Sequence, residues 1–143
     1  MNLFSFEKLD AYQESRKLAV EVYRIIQELP SYERFDLGSQ LRRSIISVSS
    51  NIAEGCGRVS LREKIHFLEI AYGSMLEAYS QIQLSVDLNY THPERMTMLQ
   101  PKFSYVANLI NSLRKSYMIK LENNNQKSTP NQNSQSNSNK LND

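Results

Sequence analysis

Glu63-Lys64-Ile65-His66 sets a carboxylate and an imidazole three residues apart, the spacing with which one helix offers two ligands to a metal. A carboxylate-bridged di-iron centre in a helical bundle needs that pair twice, and a further Glu from each of two other helices. The second histidine of the chain, His92, has Asn89 three residues before it, so only half of such a site exists. Glu63 is also explained by its place three residues after Ser60, where it completes a capping pair. Ligand counting therefore predicts no metal and no cofactor. The single cysteine, Cys56, precedes a helix start, where the helix dipole and Arg58 would favour a thiolate. A nucleophile also needs a base, and His66 lies roughly 9 Å farther along the helix axis with no third group to orient it. The chain has no glycine-rich phosphate loop, no Gly-x-Ser-x-Gly elbow and no paired carboxylates in a plausible cleft. It reads as a protein without catalytic residues.

Cations offer a second kind of chemistry. Arg58, Arg62 and Lys64 crowd one helix start, and Arg114, Lys115 and Lys120 crowd the end of the last helix. Basic residues suit a helix C-terminus but oppose the dipole at an N-terminus unless an anion binds there. Arg42 and Arg43 form a further basic site with no acid three or four residues away, and are expected to be free to meet a partner. Contact with the phosphates of RNA or DNA and plain solvation both account for these charges, solvation being the simpler account. No aromatic residue is clearly interleaved with them, so no stacking platform for single strands is established. Lys17 with Glu21, and Arg24 with Glu28, read as self-neutralising surface pairs worth tenths of a kcal/mol. The net charge of +2 and pI near 8.7 permit a nucleic-acid partner without requiring one.

A third pattern is polar. Ser44, Ser47, Asn51 and Glu54 recur at three- and four-residue steps beside an apolar seam, while Glu69, Gly73 and Glu77 form a line on the next helix. Gly73-Ser74 would let another backbone approach closely. These residues form either an ordinary solvated face or a buried or subunit-facing network that fixes register and oligomer number.

The elements that would position these groups are all helices. Apolar residues repeat in alternating four- and three-residue steps over Leu18–Leu29, Leu37–Ile52, Leu61–Val86 and Met96–Tyr117, with Pro101 interrupting the last seam. Pro30 breaks the first helix, and Gly55 and Gly57 suit a left-handed turn ending the second. Ser60 with Glu63, and Thr91-His92 before Pro93-Glu94, mark the starts of the third and fourth. The connections are short, so sequential helices should be antiparallel neighbours. The fold class expected is all-α, an up-down-up-down four-helix bundle over residues 1–121. Residues 122–143 are nearly all Asn, Ser, Gln and Lys and read as a disordered tail. Lack of a signal-peptide pattern and of any long apolar run gives a cytoplasmic protein with no membrane contact as the expectation.

Leu37-Gly38-Ser39-Gln40-Leu41-Arg42-Arg43-Ser44, Ser47, Asn51-Ile52-Ala53-Glu54-Gly55, Ala71-Tyr72-Gly73-Ser74 and Glu77 together resemble the bacterial four-helix-bundle family, also called the S23 or 23S rRNA intervening-sequence protein family. The likeness runs from about Phe4 to Tyr117. It implies a protomer that assembles into a five-membered ring around a central channel. Some members are encoded within intervening sequences of 23S rRNA genes. The related accessory variability proteins of diversity-generating retroelements bind nucleic acid and a reverse transcriptase through a basic surface. Asn51, Glu54, Gly55, Gly73, Ser74 and Glu77 would then be signature residues, and Arg42 and Arg43 the surface contacts. Ile45-Ile46 departs from the family, in which small residues are common there. The resemblance favours a ring-forming, non-enzymatic nucleic-acid accessory, and leaves a protein-protein adaptor as the alternative.

Overall fold

The computed structural model describes residues 1–129. Four helices run Asp10–Glu28 (α1), Leu37–Cys56 (α2), Leu61–Asp87 (α3) and Pro93–Lys127 (α4), with single 3₁₀ turns at Ser5–Lys8 and Ser31–Glu33. Each helix packs on its neighbours in the chain and α1 closes on α4, while among the described residues neither diagonal pair brings its backbones together. That is the up-down-up-down bundle expected of short connections.

The core follows from the seams. Leu18, Val22 and Ile25 of α1, Leu41, Ile45, Val48 and Ile52 of α2, Leu68, Met75 and Ile82 of α3, and Leu99, Phe103, Val106 and Ile110 of α4 are buried in one cluster. On α3 the innermost line is turned from the expected seam: Ala71, Ala78 and Ser85 are fully buried, while Tyr72 and Tyr79 flank the core half-buried. Small side chains let neighbouring helices close up, so the rings lie to one side, where Tyr79 meets Phe103 edge-on with centroids 5.2 Å apart.

Helix ends show where local chemistry was read correctly and where it was not. Ser60 Oγ accepts the Glu63 N–H at 3.1 Å, but the returning bond of a full capping box does not form. His92 caps α4, its Nδ1 accepting the Glu94 N–H at 3.4 Å, with Pro93 just inside the helix. No described glycine adopts positive φ; the one residue that does is Asn89, at φ 60°. It closes α3 in a Schellman turn, with Tyr90 N–H donating to Ser85 O at 2.9 Å and Asn89 N–H to Val86 O at 2.9 Å. Gly55 and Gly57 do not make the left-handed turn expected of them. Gly55 is buried inside α2, and Gly57 ends it with right-handed helical angles. α4 continues through Pro101 and reaches Lys127, six residues past Leu121, so the start of the expected tail is helical. Extending a formed helix is far cheaper than nucleating one, and Lys127 suits its C-terminus. The remainder of that tail, residues 130–143, lies outside the described residues. Among the described residues no helix is long and apolar enough to cross a membrane.

Candidate functional site

Antiparallel packing brings the start of α3 against the Arg114–Lys120 stretch of α4, two to four turns before that helix ends, and with them six of the eight cations singled out above. Lys64 Nζ stands 5.7 Å and Lys120 Nζ 5.8 Å from the centroid of the Tyr117 ring. Lys64 also donates to the Cys56 carbonyl at 2.7 Å, tying the start of α3 to the end of α2. Arg58 lies 4.6 Å over the Phe67 ring and pairs with Glu54 at 2.6 Å. Arg114 Nε stands 3.5 Å from Glu69 and is buried without a hydrogen bond. Arg62 and Lys115 are exposed, and among the described residues neither has an ion-pair partner. Aromatic rings therefore do stand among these cations. Tyr117 and Phe67 were missed because they approach across helices, although their place three residues from Lys120 and Lys64 was visible. Burial, and secondarily the Cys56 thiol nearby, push the Tyr117 phenol above its ordinary value.

Arg42 and Arg43 sit elsewhere, near the start of α2 and the opposite pole. Arg42 is not free: its two terminal nitrogens donate to the Arg34 carbonyl at 3.1 and 3.3 Å, closing the α1–α2 connection. Arg43 is exposed. The surface pairs also differ from expectation. Lys17 bonds Glu14 and Arg24 bonds Glu21, at 2.7 and 2.9 Å, leaving Glu28 to bond Arg95 across to α4. Three-residue spacing serves as well as four on a helix.

The polar stripe of α2 is a hydrogen-bond network with α3. Ser44 Oγ donates to Leu41 O and Gln81 Oε1 at 3.1 and 2.8 Å, and Gln81 Nε2 donates to Glu77 at 3.2 Å. Ser47 and Ser74 share a 2.8 Å hydroxyl bond, and Asn51 Nδ2 donates to the Ser47 carbonyl and hydroxyl, each at 2.8 Å. Glu54 and Glu69 lie outside the network, held by Arg58 and Arg114. Gln81 was missed because it sits one helical step beyond the Glu69-Gly73-Glu77 line. An open furrow of about 620 Å³ runs over the network, lined by Gln40, Arg43, Ile46, Ser47, Ser74 and Glu77. Among the described residues a Cβ on the neighbouring Gly73 would meet nothing within 4 Å.

Glu63 and His66 are both exposed on α3 rather than turned to the core, and among the described residues no three His, Cys, Asp or Glu converge on one point. Cys56 is half-buried, its Sγ 3.5 Å from Ser5 Oγ.

The sequence model of the 23S rRNA-intervening sequence protein family matches residues 7–112, a span that includes α1, α2 and α3 whole and α4 as far as Ser112. The chain belongs to the 23S rRNA-intervening sequence protein family. No curated protein matches it. Within this family member the positions that carry the resemblance have distinct physical work. Asn51 and Ser74 belong to the α2–α3 network, Glu77 anchors Gln81, and Glu54 holds Arg58. Gly55 marks the close approach of α2 to α3, where a Cβ would stand 2.8 Å from Phe67 Cβ. Ile45 is wholly buried in the core and Ile46 is half exposed on the furrow, so both side chains are accommodated without disturbing the bundle.

Proposed function

We propose that this family member is a cytosolic, non-enzymatic accessory that binds RNA and works as a self-associated ring. The observation that carries the RNA reading is the gathering of Arg58, Arg62, Lys64, Arg114, Lys115 and Lys120 where α3 begins beside the later turns of α4. Cations at the start of α3 are unfavourable for the helix itself, and a polyanion at that pole would relieve them. Self-association is supported by the α2–α3 furrow, whose open Gly73 and half-exposed Ile46 leave room for a second backbone. The five-membered ring is what the family likeness implies, and sedimentation of the purified protein should then give five copies of a 16.6 kDa chain.

Arg62 and Lys115 are the residues to change, because they are exposed and removing them breaks no bond within the fold. Arg62→Gln/Lys115→Gln should weaken binding of RNA and flatten its salt dependence, by about 0.7 in the logarithmic slope per charge lost for a single strand. RNA binding that ignores both salt and this double substitution would overturn the reading. The second reading, a protein adaptor for a reverse transcriptase or another protein, is favoured by the same furrow, with Arg43 and Glu77 on its walls as an opposite-charge pair. Recovery of a stoichiometric protein partner by nucleic-acid-free material, lost in Arg43→Glu, would support it.

A further inference from the structure

The RNA reading says nothing of whether the strand is paired, and the surroundings of Tyr117 bear on that. Lys64 and Lys120 bring two ammonium groups to one ring from two different helices. Lys64 is held in place by its bond to the Cys56 carbonyl, which uses one of its three N–H donors. Among the described residues no carboxylate lies within ion-pair distance of either lysine. Glu63, next to Lys64, and Glu122, two residues past Lys120, are exposed and pair with neither. Two like charges at one ring with no counter-charge repel each other, and an anion between them removes that repulsion.

Tyr117 is held by the core yet keeps part of its surface open to solvent. Both ammonium groups stand near the outer limit of about 6 Å for a cation–π contact. A flat group sliding onto the ring therefore displaces weak contacts, and leaves both cations beside it with free donors. A base with phosphates on either side has that shape and charge. In a duplex the base faces are stacked inside and only edges, 2′-hydroxyls and backbone are presented, so a ring can stack only on an unpaired base.

We infer that Tyr117, Lys64 and Lys120 form a seat for an unpaired RNA nucleotide, its base on the tyrosine ring and its flanking phosphates on the two ammonium groups. The inference rests on the RNA reading and sharpens it to single-stranded RNA. Fluorescence anisotropy of the full chain with a labelled oligouridylate and with an RNA duplex of matched length tests it. Tyr117→Leu should weaken the single strand about tenfold, the worth of one stacked base, and leave the duplex unchanged. Tyr117→Phe, which keeps the ring, should bind like the parent. Equal binding of the single strand by parent and Tyr117→Leu would overturn the seat while leaving RNA binding standing; no salt-dependent binding of either RNA would overturn both. If Tyr117→Leu fails to fold, photo-crosslinking of bromouridine-substituted RNA to the unaltered protein decides instead. A crosslink on Tyr117 supports the seat, and crosslinks confined to other residues overturn it.

Discussion

Gly55 sits in the last turn of α2 without positive φ, so its need for glycine comes from outside its own backbone. The nearest atom to a Cβ there is Phe67 Cβ at 2.8 Å, with Lys64 O at 3.5 Å. Neither belongs to the far end of a flexible side chain, so α2 and α3 would have to part. Gly55→Ala gains helix propensity but should lose more to overpacking, a net loss of about 1–2 kcal/mol measurable in a urea titration. A second residue-scale effect concerns pH. Tyr90 donates to Glu33 Oε1 at 3.2 Å, and the Tyr32 hydroxyl, burial and the Glu33 carboxylate, in that order, push its phenol well above the ordinary value. The unfolded chain releases this proton near pH 10 while the folded chain keeps it. Above that pH the unfolded state binds fewer protons, so stability falls as pH rises. The stability advantage of the parent over Tyr90→Phe should therefore shrink as the pH is raised past about 10, read from melting midpoints of both proteins. A constant gap would remove Tyr90 from the alkaline limb.

At the scale of elements, α4 is the anomaly. It is 35 residues long and holds Pro101 in its interior. Proline offers no N–H to the Thr97 carbonyl and disfavours a helical residue before it. The helix persists because Leu99 and Phe103, on either side of the proline, are buried in the core, while Thr97 and Pro101 face outward, where water can take the spare carbonyl. Tertiary burial outweighs local propensity here. Pro101→Ala should stabilise the protein by about 1–3 kcal/mol without altering the fold, seen as a higher thermal midpoint with unchanged helical circular dichroism.

At the scale of the whole molecule, the bundle leaves Gly73 without an internal reason. It is exposed, and among the described residues nothing lies within 4 Å of a Cβ built there. In a lone bundle Gly73→Ala would stabilise α3 by about 0.5–1 kcal/mol, as at any exposed mid-helix position. If a second copy packs its backbone there, the same methyl group blocks it. The expected outcome is a more stable protein that sediments as smaller species. A substitution that raises stability and leaves the assembly intact would place the subunit contact elsewhere.

How much of this was legible in the chain differs by kind. Four helices, their order and their buried lines follow from a three-and-four periodicity that is local, and from short connections that leave antiparallel neighbours as the economical arrangement. The α3 seam was legible to within a small rotation, because Ala71 and Ala78 against Tyr72 and Tyr79 is decided by how closely neighbouring helices pack rather than by hydrophobicity. Gly55 was recognisable as significant but not for its reason, since a contact with Phe67 twelve residues on cannot be read from either residue alone. The candidate site shows the same division. Sequence by itself determined that basic residues lie at the start of α3 and in the later turns of α4 and that a polar stripe runs along α2. Only the tertiary structure decided that Arg42 closes a loop, that Ser44 and Ser47 reach Gln81 and Ser74, and that Lys64 and Lys120 meet at Tyr117. Periodicity fixes which way a side chain faces on its own helix; which atom of another helix it meets depends on the depth and stagger with which the helices pack.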